Sequence, residues 1–133
     1  MQRILLAYDG GEPARRALDT TIELSKLTGA TVAVVSVVPF HPGRIGADPW
    51  DSTEDHAQEL IDARRTLHEA GIEAELLEPI GDPAQRIEEV ADKGNYDTIV
   101  IGSRGLSAVG RVLQGSVSSH VATHAKSTVI VAR

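Results

Sequence analysis

Thr98-Ile99-Val100-Ile101-Gly102-Ser103-Arg104-Gly105, followed ten residues on by Gly115-Ser116-Val117-Ser118, is the stretch on which the reading of this chain turns. A short β-branched run enters a glycine-rich loop, and a second Gly-Ser pair opens an amphipathic segment. That order predicts a strand, a loop able to cradle phosphate, and the start of a helix.

Working outward, Thr128-Val129-Ile130-Val131-Ala132 reads as a last strand. On the other side, Asp82-Pro83 places an N-cap before a first-turn proline. Ala84, Ile87, Val90 and Ala91 then form the inward face of a helix that ends at Gly94-Asn95. Before it, Ile72 to Glu78 alternates apolar and acidic residues, the pattern of an edge strand with one wet face. Ser52-Thr53-Glu54-Asp55 starts a helix whose face is marked by Ala57, Leu60, Ile61 and Leu67 and which ends at Gly71. Phe40 to Asp51 holds Pro42, Gly43, Gly46, Pro49 and Trp50 without periodicity and reads as a long loop, either a lid or a surface connection.

At the N-terminal end, Ile4-Leu5-Leu6-Ala7-Tyr8 is a continuous apolar run closed by Asp9-Gly10-Gly11, as in a strand buried on both faces. A helix follows from Glu12-Pro13, with Ala14, Ala17, Leu18, Thr21 and Leu24 on one side and Gly29 at its end. Thr31 to Val38 is a second β-branched run stopped by Pro39. Five strands alternating with helices predict an α/β fold: a single-domain, five-stranded parallel sheet with helices on both faces. Of the two common strand orders, 3-2-1-4-5 is favoured here, with strands one and four adjacent at the switch point where ligands bind.

The 133 residues suit one domain able to bury roughly two-thirds of its unfolded surface. With 41% hydrophobic but only 3% aromatic residues, the core must be aliphatic. A net charge of -6, without a dense Lys/Arg cluster, argues against a nucleic-acid partner. The absence of Cys excludes disulfides and cysteine-ligated metal. Asp9 comes too soon for a signal peptide and no run approaches the ~20 apolar residues of a membrane span, so no membrane partner and a cytoplasmic location are expected.

In the favoured order, the carboxyl ends of strands one and four face one crevice, bringing Asp9 close to Gly102, Arg104 and Gly105. Glycines suit a polyphosphate loop because they admit positive φ and keep Cβ atoms away from converging N–H groups. Ser116 and Ser118 add hydroxyls at a helix start, where the dipole favours anions. The spacing G-x2-G-x9-G-S matches neither the Walker pattern, which needs Gly-Lys-Ser/Thr, nor the dinucleotide fingerprint.

With Ile4-Leu5-Leu6-Ala7-Tyr8-Asp9-Gly10, Gly81-Asp82-Pro83-Ala84 and the tail from Asp97 to Arg133, the chain resembles the universal stress protein family along essentially its whole length. Gly102-Ser103-Arg104-Gly105-Leu106-Ser107 with Leu113-Gln114-Gly115-Ser116-Val117-Ser118 is similar to that family's ATP-binding signature. The resemblance implies an adenine nucleotide alpha hydrolase-like fold of the ATP-binding subclass. It implies that Asp9 meets the ribose or adenine and that Ala7 and Val37 line the adenine pocket, Val37 through its backbone. It further implies that Gly102, Arg104, Gly105, Gly115, Ser116, Val117 and Ser118 surround ribose and phosphates. Two departures stand out: Gly11, where many relatives carry Ser, and Gly110, where a long polar residue is frequent.

His120 and His124 lie four apart, a metal-ligand spacing, but without the carboxylate of His-Glu-x-x-His, and His124 suits a helix end; no metal site is expected from them. His41, His56 and His68 are expected to be exposed. Ser116 lacks Asp/His partners and a nucleophile elbow, so no catalytic residue is expected. Val129-Ile130-Val131 is an uncharged, apolar edge that needs covering, and the resemblance implies that it pairs with its twin in a homodimer.

The expected function is therefore a stress-response or signalling protein holding ATP with Mg2+ between strands one and four, hydrolysing it slowly at most. Two alternatives remain open at this point. One is a small enzyme using the nucleotide for hydrolysis, phosphotransfer or adenylylation; the other is a ligand-free interaction module.

Overall fold

The computed structural model describes residues 1–38, 53–103 and 116–133, with residues 53–56 and 116 described by their backbone alone. The sheet is parallel throughout and comprises β1 (Arg3–Ala7), β2 (Thr31–Val35), β3 (Ala74–Leu77), β4 (Thr98–Gly102) and β5 (Thr128–Ala132). Its order is β3-β2-β1-β4-β5, as expected. The helices are α1 (Glu12–Thr28), α2 (Thr53–Glu69), α3 (Pro83–Lys93) and α4 (Ser116–His124).

Both faces of the sheet are covered, which is why its central strands read as unbroken apolar runs. On one face Ile4, Leu6, Val34 and Val100 pack with Ala17 and Leu18 of α1 and Leu60, Ala63 and Leu67 of α2. On the other, Leu5, Val35, Ile99 and Ile101 pack with Ala84, Ile87 and Ala91 of α3 and Val121 of α4. Ile4, Leu5, Leu6, Ile99 and Val100 are wholly buried, so β1 and β4 form a rigid base beneath the switch point.

The helix ends follow local chemistry. Asp82 accepts the Gln85 N–H at 3.0 Å and Pro83 opens α3. Gly29, at φ 76°, donates its N–H to Ser25 O and closes α1. Thr21 and Ser25, buried in α1, donate their hydroxyls to Ala17 O and Ala30 O, so neither is left unsatisfied.

Several boundaries differ from the sequence reading. Ile72 does not start β3: its N–H donates to Leu67 O at 2.8 Å across Gly71 (φ 85°), so it caps α2 as the apolar partner of a Schellman-type end. The regular ladder of β2 stops at Val35 rather than Val38, because Pro79 on the facing chain has no N–H to give. Pairing resumes as a single bridge between Val38 and Ile80, supported by Val38 N–H donating to Pro79 O. Ile61 is 47% exposed rather than core-facing; Ala63, between Leu60 and Leu67 in the i, i+3, i+7 row, is buried instead. The Phe40 to Asp51 loop lies outside the described residues.

Candidate functional site

β1 carries Ala7 in register between Val35 of β2 and Ile101 of β4. The chain leaves β1 through α1 toward β2 and leaves β4 through α4 toward β5, on opposite sides. Tyr8 and Asp9 beyond one strand, and Gly102 and Ser103 at the end of the other, therefore emerge side by side at the point where the connections diverge, which opens a crevice.

One wall of that crevice is apolar. Ala7 and Val37, 7% and 9% exposed, belong to the same cluster as Val35, Ile101 and Val121, and Val117 of α4 packs against it half-buried. Ala7 is the shortest side chain of its row, which lowers the apolar floor between Val35 and Ile101. Tyr8 points to the other face, where burial raises its phenol pKa above the ordinary value against the opposing pull of Arg15.

Asp9 is exposed and accepts the Gly11 N–H on Oδ1 at 2.9 Å, a turn-forming contact completed by Gly10 at φ 81°. Gly11 is the N-cap of α1 and offers no side-chain cap, the structural counterpart of its departure from Ser.

Gly102 is explained differently from the sequence reading. It is the last residue of β4, paired with Ala132, and is not among the positive-φ glycines of the described residues. Its missing side chain instead admits backbone: a Cβ there would lie 2.7 Å from Pro13 C and 2.9 Å from Ala14 N, in the first turn of α1. Close approach is required, but the approaching atoms belong to the protein's own helix.

Ser103 was not singled out by its sequence context, yet its backbone ties three elements. Its N–H donates to Ala132 O of β5 at 2.7 Å, and its carbonyl accepts the buried Ser118 hydroxyl of α4 at 3.1 Å. The hydroxyl of Ser118 thus holds the first turn of α4 against the end of β4. No local pattern distinguishes Ser103 from an ordinary loop serine; the signal is tertiary. Ser116 is the first residue of α4, whose amino end carries partial positive charge. Arg104, Gly105, Gly110 and Gly115 lie outside the described residues.

Residues in the described parts thus bring Ala7, Val37 and Val117 to one apolar face, and Asp9, Gly102, Ser116 and Ser118 to the strand ends and helix start above it. This arrangement can seat a flat apolar ring against the wall and an anionic group beside α4.

The sequence model described as the universal stress protein family matches residues 1–133. A universal stress protein of Thermus aquaticus is 33% identical over 135 residues, covering 98% of this chain and 97% of that protein. The stress response protein NhaX of Bacillus subtilis is 29% identical over 161 residues, covering 98% and 97%. Among solved structures, the universal stress protein of Archaeoglobus fulgidus in complex with dAMP superposes with a TM-score of 0.78 at 26% identity, covering 100% of this chain and 98% of that one.

Proposed function

The chain belongs to the universal stress protein family, and from that premise we propose that its 133 residues form one domain holding an adenine nucleotide, ATP with Mg2+, at the carboxyl ends of β1 and β4. The observation that carries this reading is the apolar wall of Ala7 and Val37 set beside the amino end of α4, where Val117 packs against the same cluster. An adenine ring gains from the wall and phosphates gain from the helix end, so the two parts of one nucleotide match two adjoining surfaces. The dAMP complex of the Archaeoglobus fulgidus protein supports the same ligand class.

In this reading Ala7 and the backbone of Val37 contact adenine, and Asp9 meets the ribose or adenine. Gly102, Arg104, Gly105, Gly115, Ser116, Val117 and Ser118 surround ribose and phosphates, Ser118 with its hydroxyl already given to Ser103 O, and Mg2+ would offset the phosphate charge. ATP acts as a bound signal in a cytoplasmic stress response. The chain has no Gly-Lys-Ser/Thr to drive γ-phosphate transfer, and Asp9 Oδ1 is engaged by the Gly11 amide. The protein works as a homodimer through β5, whose Val131 is 39% exposed and which pairs, among the described residues, with β4 alone.

The test is direct. Protein purified from cells is analysed for bound nucleotide by mass spectrometry, and the stripped protein is melted with and without ATP. At a hundredfold excess over Kd, ATP is expected to add about 2.7 kcal/mol of stability. Empty protein whose melting temperature ATP leaves unchanged would refute the reading. Turnover of about 1 per second or faster would make the protein an enzyme instead.

A further inference from the structure

Away from the crevice, α3 and α4 pack side by side and bring together three side chains that no linear motif connects. His120 and His124 stand four apart on α4, so both project from one face. Glu88 of α3 reaches across to the same place, with its Oε2 2.7 Å from His120 Nδ1. Each of the three offers a ligand atom, and these atoms lie within 4.8 Å of one another. The carboxylate absent from the His-x3-His sequence pattern is supplied by the neighbouring helix.

From this cluster we infer a second binding site, for a divalent transition metal, formed by Glu88, His120 and His124. Several features favour a metal over a plain ion pair. His124 Nδ1 lies 2.9 Å from His120 O, and a carbonyl can only accept, so that nitrogen is the donor and Nε2 is the ring nitrogen left to meet a metal. A ring nitrogen donating to a backbone carbonyl is the usual outer support of a metal-bound histidine. The two imidazoles stack at 4.0 Å between centroids, 20° apart in plane, so their ring nitrogens are held close together. His120 and Glu88 side chains are 49% and 20% exposed, and a cleft of about 210 Å3 lined by Glu88, Asp92 and His124 leaves room for coordinating water.

Two imidazoles and one carboxylate suit Zn2+, Ni2+ or Cu2+ and not the all-oxygen preference of Ca2+ or Mg2+. Ligand bonds of about 2.0–2.1 Å require the three groups to draw together and the rings to turn out of their stack, a motion open to surface side chains. Held this way, the metal would clamp α4 to α3. The inference stands apart from the nucleotide reading, since none of the three residues belongs to the crevice.

The chain itself contains a control. His68 Nδ1 lies 2.6 Å from Glu73 Oε1, the same kind of pair without a second histidine. Nucleotide-free, chelator-stripped protein is titrated with Zn2+ by calorimetry, with Co2+ absorption as the spectroscopic readout. One equivalent per chain is expected. His120→Gln and His124→Gln should each weaken binding by about 100-fold or more, Glu88→Gln by about 10–100-fold, and His68→Gln not at all. Melting curves check that the variants fold. In the unsubstituted protein, NMR signals of only two of the five histidine rings should respond to the metal, a readout that needs no variant. Absence of a Zn2+ site in the unsubstituted protein would overturn the inference. So would binding unchanged in the His120→Gln/His124→Gln double variant, or a metal response centred on other histidines.

Discussion

Gly102→Ala tests whether that glycine serves the fold directly. The added Cβ would stand 2.7 Å from Pro13 C and 2.9 Å from Ala14 N, closer than such atoms come in folded proteins, and both are backbone. No side chain can rotate away, so the first turn of α1 must lift from β4 or the end of β4 must bend. Forcing one methyl into a packed site of this kind costs about 1–3 kcal/mol. For a 133-residue chain, the usual unfolding entropy per residue converts each kcal/mol into about 3–4 °C of melting temperature, so a loss of about 4–11 °C is expected. The assay is calorimetric or circular-dichroism melting of nucleotide-free protein, which removes any ligand contribution. A melting temperature within about 2 °C of the unsubstituted protein would refute the packing argument and leave ligand contact as the reason for glycine.

Other perturbations follow from the same structure. Burial opposes ionisation of Asp97, but the N–H groups of Gln2 and Arg3 and the Thr98 hydroxyl outweigh it and lower its pKa. A folded pKa below the unfolded value of about 3.9 gives stability that is present above that pH and lost as pH falls through the folded pKa. Because the side chain is exposed and screened by solvent, Asp97→Asn should cost at most about 1 kcal/mol at neutral pH, with the gap to the unsubstituted protein closing below about pH 3.9; a gap that stays constant with pH would contradict this account. Ala7→Leu raises the apolar floor between Val35 and Ile101 and should cut ATP affinity by at least about tenfold in a binding titration, while unchanged affinity would count against the adenine wall. Val131→Lys places a charge on the exposed edge strand and should convert dimer to monomer in sedimentation; a persisting dimer would move the interface elsewhere.

Much of the fold was legible because its signals are local. The unbroken apolar runs of β1 and β4, Asp82 before Pro83, and the closing glycines at 29 and 71 each act within a few residues of themselves. Where the reading missed, a neighbour distant in sequence or one turn further along decided the outcome. Ile72 followed the cap of α2 instead of the strand pattern, and Pro79 cut short the ladder of β2. Of the proposed nucleotide site, the sequence indicated the strand ends and the residue types, but not the packing of Pro13 on Gly102 or the bond from Ser118 to Ser103.

The sequence by itself determined the alternation of five strands with helices and where those helices begin and end, because periodicity and capping act over one or two turns of chain. Between the two common strand orders it could only favour one. Only the tertiary structure decided that β1 and β4 are paired neighbours, that Asp97 holds the amides of Gln2 and Arg3, and that Glu88 meets His120. Those contacts join residues 32 to 95 positions apart. Packing two faces of one sheet brings them together, and no local pattern records which distant side chain will arrive.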